Sequence, residues 1–351
     1  MLQWINYGIE RVGMARRKIT IKDVALEADV SVASVSLYLN NKPGLADETR
    51  QRIGETITKL GYVPRRTNAT PNEASFIGLL VEKMMLSAFF DMFYGEVIQG
   101  MEYRARKLGY NIALMQIEPD GELPRLLAEH PGNLAGLVML GGGGINREVV
   151  SQVLQEELPA ILVDNAIPDI EIDAVMPDYV SGAYQVVRYL IEQGYRHIAC
   201  IRGPGKYQSL VQRFRGYCCA LIEAGLPLEP DLIQPSLSAG TPNKGYRETK
   251  ALLERGQPID AIFCVSDRTA FGTLQALKEA NLRIPDDIAV VGFDNVAQSG
   301  HTVPPLTTVD VPKQAMGEIA IQRLYSLMTE PIAMPPVQNL LYTSLVVRDS
   351  T

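Results

Sequence analysis

The sequence predicts two different folds in one chain: a small all-α domain near the amino end, followed by a larger α/β core with parallel sheets. Residues 18–66 carry apolar residues at helical spacing, whereas after residue 75 short apolar runs alternate with longer amphipathic stretches. The sign of the net charge changes at the same boundary. Residues 1–66 hold eleven Lys/Arg and seven Asp/Glu, giving +4, so with −7 for the whole chain the remainder carries −11. A basic head on an acidic body is a cue for nucleic-acid contact by the head.

Three helices are predicted in the head. The first has apolar residues at helical spacing; Thr20 is placed to cap its start, and Asp29, which tolerates a left-handed turn, follows its end. Ser31 is placed to cap the second helix. The third runs from about residue 47 to residue 60, with Gly61 as its stop. The predicted core positions are Ile21, Val24, Ala25, Ala28, Val30, Val35, Leu39, Ile53, Ile57 and Leu60.

The second helix, within "VSVASVSLYLN" (30–40), has small, hydroxyl-bearing residues on its other face. Such a face approaches a groove closely, and it offers hydroxyls for hydrogen bonds and methyl groups for thymine. The alternative is a small buried helix in a bundle. The sequence pattern alone leaves both readings open.

Consensus positions in the head run T-I-K-D-V-A-x-x-A-x-V-S-x-x-S-V-S-x-x-L-N, then T-R-x-R-I and L-G-Y-V-P. This pattern resembles the helix-turn-helix DNA-binding domain of LacI/GalR-family transcription regulators. The resemblance implies that the second helix lies in the major groove, with Lys22, Val32, Ala33 and Leu37 in base-reading positions. It also implies contacts with phosphates, or contacts that brace the turn, from Thr20, Ser31, Ser34, Ser36 and Asn40. Ile21, between Thr20 and Lys22, is included among these DNA-binding positions.

Two departures from the family pattern concern DNA. Leu37 stands where the family usually has Arg. The chain thereby lacks an arginine contact that, when bidentate, contributes about 1–3 kcal/mol to discrimination between bases. In the hinge after Pro64, Pro71 stands where a minor-groove leucine is expected, and proline does not continue a helix. Arg65 and Arg66 remain available for phosphates or a narrow minor groove. The hinge is either ordered by DNA or a plain linker.

The body has seven strand-like runs, at 76–81, 111–117, 134–140, 159–164, 197–203, 261–267 and 288–294. Helical stretches alternate with them, at 95–108, 179–193, 212–224, 245–255 and 269–281. Several runs end in Asp or Gly. Because ligands bind outside the carboxyl ends of parallel strands, such a cluster indicates a site. For each Asp alone, a helix cap is the simpler reading.

Phrases such as "LIEQGYRHIACIRGP", "QRFRGYCCALIEAGL" and "AIFCVSDRTAFGTLQALKEANLRIPDDIAVVGFDN" resemble the periplasmic-binding-protein-like core of the same family. The resemblance implies two lobes, three chain crossings near 176–178, 302–306 and 335–340, and a small effector in the cleft. The cleft positions are Phe90, Tyr94, Asp164, Ser209, Arg213, Asp267 and Asp294. Arg213 is read as a ligand donor or, alternatively, as part of a structural ion pair. Gly240 stands where some relatives stack an aromatic residue.

The predicted domains are an extension (1–17), the helix-turn-helix domain (18–63), a hinge (64–75) and an effector-binding and dimerisation core (76–351). Lobe 1 comprises about 76–176 and 306–336, and lobe 2 comprises about 178–302 and 340–351. Because "MARRKITIKDVA" already opens the head, we expect translation to begin at Met14.

Several other signals are weak. "GGGG" (141–144) lacks the Lys-Ser/Thr pair of a phosphate loop and is read as a flexible cleft loop. The histidines His130, His197 and His301 are scattered, and no nucleophile elbow or trusted carboxylate pair appears, so we expect no metal, no cofactor and no enzyme. No apolar run is long enough to span a membrane, and the four cysteines lack paired spacing, which favours a cytoplasmic protein with free thiols.

The leading hypothesis is a transcription regulator, most simply a repressor, that binds double-stranded operator DNA under control of a small, sugar-like effector. One head contacts too few base pairs for specificity, so we expect a homodimer. A solute-binding protein without a DNA role is the alternative, and the basic head speaks against it. An α/β enzyme is a third reading, without a visible nucleophile, metal or cofactor motif.

Overall fold

The computed structural model describes residues 20–39, 44–60, 75–82, 92–117, 123, 133–235, 244–330 and 335–351. It divides into two compact units, residues 1–69 and residues 70–351. Among the positions named above, Asn40, Gly61, Arg65, Arg66, Pro71, Phe90, His130 and Gly240 lie outside the described residues.

The first unit contains three helices, α1 (Ile21–Glu27), α2 (Val32–Leu39) and α3 (Asp47–Leu60). Thr20 caps α1 in a capping box with Asp23, as predicted, and Asp29 adopts the left-handed turn with φ of 51°. The helices enclose a small core, with Ile57, Leu60 and their neighbours packed at its edge. Its buried members are Val24, Ala25, Ala28, Val35 and Ile53.

The second unit alternates strands and helices. The strands are β1 (Phe76–Glu82), β2 (Asn111–Ile117), β3 (Leu134–Leu140), β4 (Ala160–Val163), β5 (Ala174–Pro177), β6 (Ile198–Arg202), β7 (Ile233–Pro235), β8 (Ala261–Cys264), β9 (Ala289–Val291), β10 (Thr308–Asp310), β11 (Gln338–Leu341) and β12 (Ser344–Val346). The helices are α4 (Met92–Lys107), α5 (Arg147–Gln155), α6 (Tyr179–Glu192), α7 (Gln208–Glu223), α8 (Tyr246–Glu254), α9 (Asp267–Glu279) and α10 (Lys313–Thr329).

These strands form two parallel sheets, as the alternating pattern predicted. The larger has the order β11-β5-β4-β3-β1-β2, and the smaller has the order β7-β6-β8-β9. Their central strands are continuous apolar runs because helices cover both faces. Strand β10 pairs antiparallel with β12, and it extends the smaller sheet through the hydrogen bond from Asp294 N to Val309 O (2.9 Å).

Two of the three chain crossings differ from their expected places. The first, between β5 and α6, falls at residue 178, within the expected 176–178. The second falls at 311–312 instead of 302–306. Strand β10 forms a two-stranded sheet with β12 and is bridged to the end of the smaller sheet at Thr307 and Asp310, while α10 packs on β3 and β4 of the larger sheet. The third falls at 342–343 instead of 335–340, because β11 pairs with β5 through Leu341.

The expected bounds of the lobes change accordingly. Residues 307–310 bridge to the end of the smaller sheet and pair with β12, whereas the sequence places them in lobe 1. Residues 340–341 pair with the larger sheet, whereas the sequence places them in lobe 2. Both strands are short and carry polar residues, so neither stands out as an apolar run.

Helices α4 and α10 cross on the larger sheet at very short range. A methyl group on Gly317 would lie 2.0 Å from the carbonyl oxygen of Val97, and one on Gly100 would lie 2.1 Å from that of Gln314. Glycine is therefore required at the crossing, because real side-chain carbons do not approach a backbone oxygen so closely. The two helices consequently pack backbone to backbone in one layer.

We expect Gly317→Ala to lower the free energy of unfolding by about 1–3 kcal/mol, although alanine is the better helix former. Urea unfolding followed by circular dichroism measures the change. Gly300→Ala is the matched control, since nothing lies within 4 Å of its added carbon. Equal stability of the two variants would contradict the proposed close packing.

Candidate nucleic-acid interface and ligand cleft

Helix α2 presents a slim outward face. Ser31 caps its start, with Ser34 N donating to Ser31 Oγ at 3.0 Å. Within the helix only Val35 is buried, whereas Ser31, Ala33 and the neighbouring Lys22 are exposed. The reading of this segment as a fully buried helix is therefore wrong. Small side chains on an open helix are what close approach to base edges requires.

The other predicted DNA residues divide by their contacts. Ile21 and Val32 are partly buried against the head core, and Leu37 is half-exposed outside that cluster. Thr20 is exposed, but its hydroxyl donates to Asp23 at 2.7 Å within the cap. Ser34 and Ser36 are half-buried on α2. The structure thus brings Lys22, Ser31, Ala33 and Leu37 to accessible positions in one small domain.

In the second unit, Asp164 lies at the carboxyl end of β4 and accepts from two phenols. Tyr94 of α4 donates to its Oδ2 at 2.6 Å, and Tyr179, the first residue of α6, donates to its Oδ1. Asp164 is buried and has a left-handed φ of 59°. Burial raises the pKa of this carboxyl, while the two phenol hydrogen bonds oppose that rise. Burial also raises the pKa of both tyrosines.

Arg213 and Asp294 form the opposite side of the site. Arg213 Nη2 lies 2.8 Å from Asp294 Oδ1, and Nη1 donates to the carbonyl of Val265 at 2.7 Å. The guanidinium lies 4.0 Å from the ring centre of Phe293 and 5.1 Å from that of Tyr179. The structural ion pair that the sequence left open is therefore present. Burial raises the pKa of Asp294 to about 7, and the Arg213 cation opposes that rise.

Asp267, expected as a ligand contact, also makes several contacts within the protein. Its carboxylate is fully buried and accepts from Thr308 Oγ1 at 2.5 Å, from Ser299 Oγ at 2.6 Å and from Val296 N at 3.0 Å. It fixes the loop after β9 against β10. These contacts give Asp267 a structural role, and its expected ligand contact stays a prediction.

Ser209 lies in the first turn of α7, half-buried, at an outer cavity of about 410 Å³. This cavity shares Tyr179 with the Asp164 cluster, and Gln208, Gln212 and Gln338 also line it. Amide and hydroxyl groups around an aromatic edge suit a hydroxyl-rich ligand. The outer cavity therefore adjoins the inner polar cluster at Tyr179.

Three functional positions were missed in the sequence. Glu82 ends β1, is buried, and accepts from Gly144 N at 2.9 Å. Tyr207, which follows β6 of the smaller sheet, packs against Gly142 and Gly143. The "GGGG" segment is thus anchored, which corrects the expectation of a flexible loop. A charged residue closing an apolar strand was the available signal for Glu82.

The third missed position is Lys313, the first residue of α10. Its ammonium is buried and donates to the carbonyls of Asp294 at 2.9 Å and Asn295 at 3.2 Å. Glu96 of α4 lies 3.7 Å away. Lys313 therefore joins the α4–α10 layer on the larger sheet to the loop that carries Asp294.

The described residues contain neither a metal-binding cluster nor a membrane-spanning helix. In that part of the chain, no group of His, Cys, Asp and Glu side chains is arranged to hold a metal ion. No helix within the same ranges has the length and apolarity needed to cross a membrane. All four cysteines are free thiols; Cys200 and Cys264 are buried, and Cys219 is exposed.

Comparison with known proteins gives two domain matches. Residues 20–65 match the model for bacterial regulatory proteins of the lacI family, and residues 187–351 match that for a periplasmic binding protein-like domain. The HTH-type transcriptional repressor PurR of Aliivibrio fischeri is 31% identical over 87% of this chain and 90% of its own length. The repressor CytR of Escherichia coli is 30% identical over 95% of this chain and 96% of its own length.

Solved structures agree with this assignment. A complex of the transcriptional regulator CelR with cellobiose has a TM-score of 0.72 and 29% identity, covering 95% of this chain and all of the other. The lac repressor dimer bound to operator has a TM-score of 0.68, covering 95% of this chain and 99% of the other. At 24% identity, that second likeness bears on the fold alone.

The raised pKa of Asp294 predicts a measurable pH dependence. Because the folded state holds this proton more tightly than the unfolded chain, the group lowers stability as pH rises from about 4 to about 7, by at most about 1.4 kcal/mol per pH unit. We expect Asp294→Asn to reduce this decline, with the remainder due to the raised pKa values of Asp164 and Asp267, and urea unfolding between pH 5 and 7.5 measures it.

The control for this prediction is Glu223→Gln, which changes an exposed acid on α7. Its stability should follow the wild-type curve with pH. If Asp294→Asn also runs parallel to wild type, the assignment of the proton to Asp294 is rejected.

Proposed function

This chain belongs to the lacI family of bacterial regulatory proteins, and from that premise we propose that it is a homodimeric repressor whose operator affinity depends on a small hydroxyl-rich effector. A DNA-binding transcription regulator is the class of its relatives. The observation that carries the proposal is the pairing of an open, small-residue helix α2 with a polar cleft at Asp164, Arg213 and Asp294. A solute-binding protein without a DNA role would have no use for the open face of helix α2.

On the DNA side, we propose that α2 enters the major groove with Ala33 and Ser34 near base edges and Leu37 against apolar methyl groups. Lys22, in the first turn of α1, is exposed and supplies a cationic contact. Contacts with phosphates, or bracing of the turn, come from Ser31, Ser36, Thr20 and Asn40. Contacts with the DNA backbone or the minor groove come from Arg65 and Arg66. Such a protein acts where the bacterial DNA is, in the cytoplasm.

On the effector side, Asp164 and Asp294 accept from ligand hydroxyls, and Arg213 donates through the nitrogen it does not use on Asp294 or Val265. Tyr94 and Tyr179 offer aromatic edges, Ser209 lines the outer cavity, and Phe90 belongs to the same site by family position. The relative CelR was solved with cellobiose, which supports a sugar as the effector class.

We propose dimerisation through the outer edge of the larger sheet. Strand β2 is the edge strand, where Leu114 is 47% exposed, and Tyr103 of the adjoining α4 is 52% exposed. A groove of about 310 Å³ lies beside them, lined partly by Ile98, Ile112 and Leu114. Exposed apolar patches of this kind mark protein interfaces, and an unpaired strand edge needs cover.

Fluorescence anisotropy with the region upstream of its own gene tests DNA recognition. We expect Lys22→Ala to weaken operator binding about tenfold and Ala33→Glu to abolish it, because a bulky anion cannot enter the groove. Lys278→Ala, an exposed cation of the second unit, is the control that leaves binding unchanged. Operator binding no tighter than binding to random duplex would reject the proposal.

Sedimentation velocity tests the dimer face. We expect Leu114→Asp to shift the protein to monomer, because a buried charge without a partner opposes association. Ile222→Asp, on the exposed side of α7, is matched in chemistry and should remain dimeric. A dimeric Leu114→Asp variant would place the interface elsewhere.

A further inference from the structure

Lys313 occupies a position that is unfavourable for a lysine. It is the first residue of α10, where the positive end of the helix dipole disfavours a cation, and the first turn contains no acidic residue to compensate. Its side chain is only 3% exposed, although lysines are almost never fully buried without partners. Helix formation therefore does not account for a lysine here.

The partners of this ammonium are backbone carbonyls at and near Asp294. Nζ donates to Asp294 O at 2.9 Å, to Asn295 O at 3.2 Å and to Val311 O at 3.4 Å. An ammonium has three hydrogens, so these three acceptors use its whole donor capacity. Glu96 Oε1 of α4, at 3.7 Å, lies beyond hydrogen-bonding distance. The direct bonds of Lys313 thus go to the backbone.

The backbone that accepts these bonds is strained at Asp294. This residue has φ of 119°, in the region that favours glycine, and such a conformation persists only where the surroundings fix it. The peptide group before it is fixed by Asp294 N, which donates to Val309 O of β10 at 2.9 Å. The peptide group after it is fixed by Lys313 of α10. Asp294 is therefore held between two elements.

We propose that Lys313 is a positioning residue for effector recognition, because it fixes the peptide group after Asp294 and thereby keeps the Asp294 carboxylate beside Arg213. The inference rests on the proposed function, in which Asp294 accepts from effector hydroxyls. The contact that depends on Lys313 is the one between Arg213 Nη2 and Asp294 Oδ1, at 2.8 Å.

This arrangement sets an acceptor of one lobe from the other. Asp294 follows β9 of the smaller sheet, whereas α10 packs on β3 and β4 of the larger sheet. A shift of α10 is consequently transmitted to the carbonyl of Asp294 through a direct hydrogen bond.

A brace for the chain crossing before α10 is the competing role for Lys313. Its backbone N–H donates to Val311 O at 2.7 Å, and its ammonium reaches the same carbonyl. A brace of this kind would protect the backbone amides at the start of α10. A positioning residue instead protects the amides around Asp294, so the two roles differ in where hydrogen exchange is slowed.

Hydrogen exchange followed by mass spectrometry on the full chain distinguishes these roles. Segment 292–297 contains bonded amides, since Asp294 N and Val296 N donate to Val309 O and to Asp267 Oδ2. We expect Lys313→Met to speed exchange in this segment about tenfold or more, with the interior of α10 unchanged. Acceleration that is confined to the start of α10, spread evenly over the chain or absent from 292–297 would overturn the proposal.

Three variants sharpen the measurement. Lys313→Arg keeps a cation with several donors and should restore much of the protection of 292–297; exchange as fast as in Lys313→Met would contradict the positioning role. Glu96→Gln removes the nearby charge but leaves the carbonyl bonds, so this segment should exchange as in wild type. An effect as large as that of Lys313→Met would assign the role to the ion pair instead. Lys278→Met, at an exposed lysine of α9, is the matched control.

If Lys313→Met does not fold, Lys313→Gln takes its place. Its side chain is neutral and shorter, so it leaves a polar group in the site without reaching the carbonyls, and the same acceleration of 292–297 is expected. Neither DNA nor effector enters the measurement, so an unchanged segment rejects the role of Lys313 alone. Loss of operator recognition would instead reject the regulator.

Discussion

The ion pair between Arg213 and Asp294 is the interaction on which the cleft depends. It holds a guanidinium between the rings of Phe293 and Tyr179, and Tyr179 in turn donates to Asp164. Carboxyl ends from both sheets are thereby connected through one buried network. Because each member is positioned by another, a change at any one of them alters the geometry of the rest.

Lys313 extends this network to the helices of the larger sheet. Its ammonium binds the backbone at Asp294 and Asn295, while its own helix, α10, crosses α4 through glycine contacts. Tyr94 and Glu96 lie on α4 as well. A ligand that moves Asp294 therefore acts, through Lys313, on a closely packed helical layer. Such a layer is a suitable carrier for coupling between two binding sites.

Local chemistry made much of the fold predictable. Strands β2 and β3 match their apolar runs, and Thr20, Asp29 and Ser31 behave as their side chains require. The short strands β10 and β11 were not visible, since their pairing depends on distant residues. The same holds for the site: Asp164, Arg213 and Asp294 lie together, but the engagement of Asp267 by Ser299 and Thr308 is tertiary. No spacing in the sequence reports it.

The two phenols on Asp164 also have a consequence for sensitivity. Both carboxylate oxygens are already engaged, by Tyr94 and by Tyr179. A molecule that binds Asp164 consequently exchanges hydrogen bonds there instead of adding them, and the net gain is small. We therefore expect the strength of capture to be set by the other contacts of the cleft.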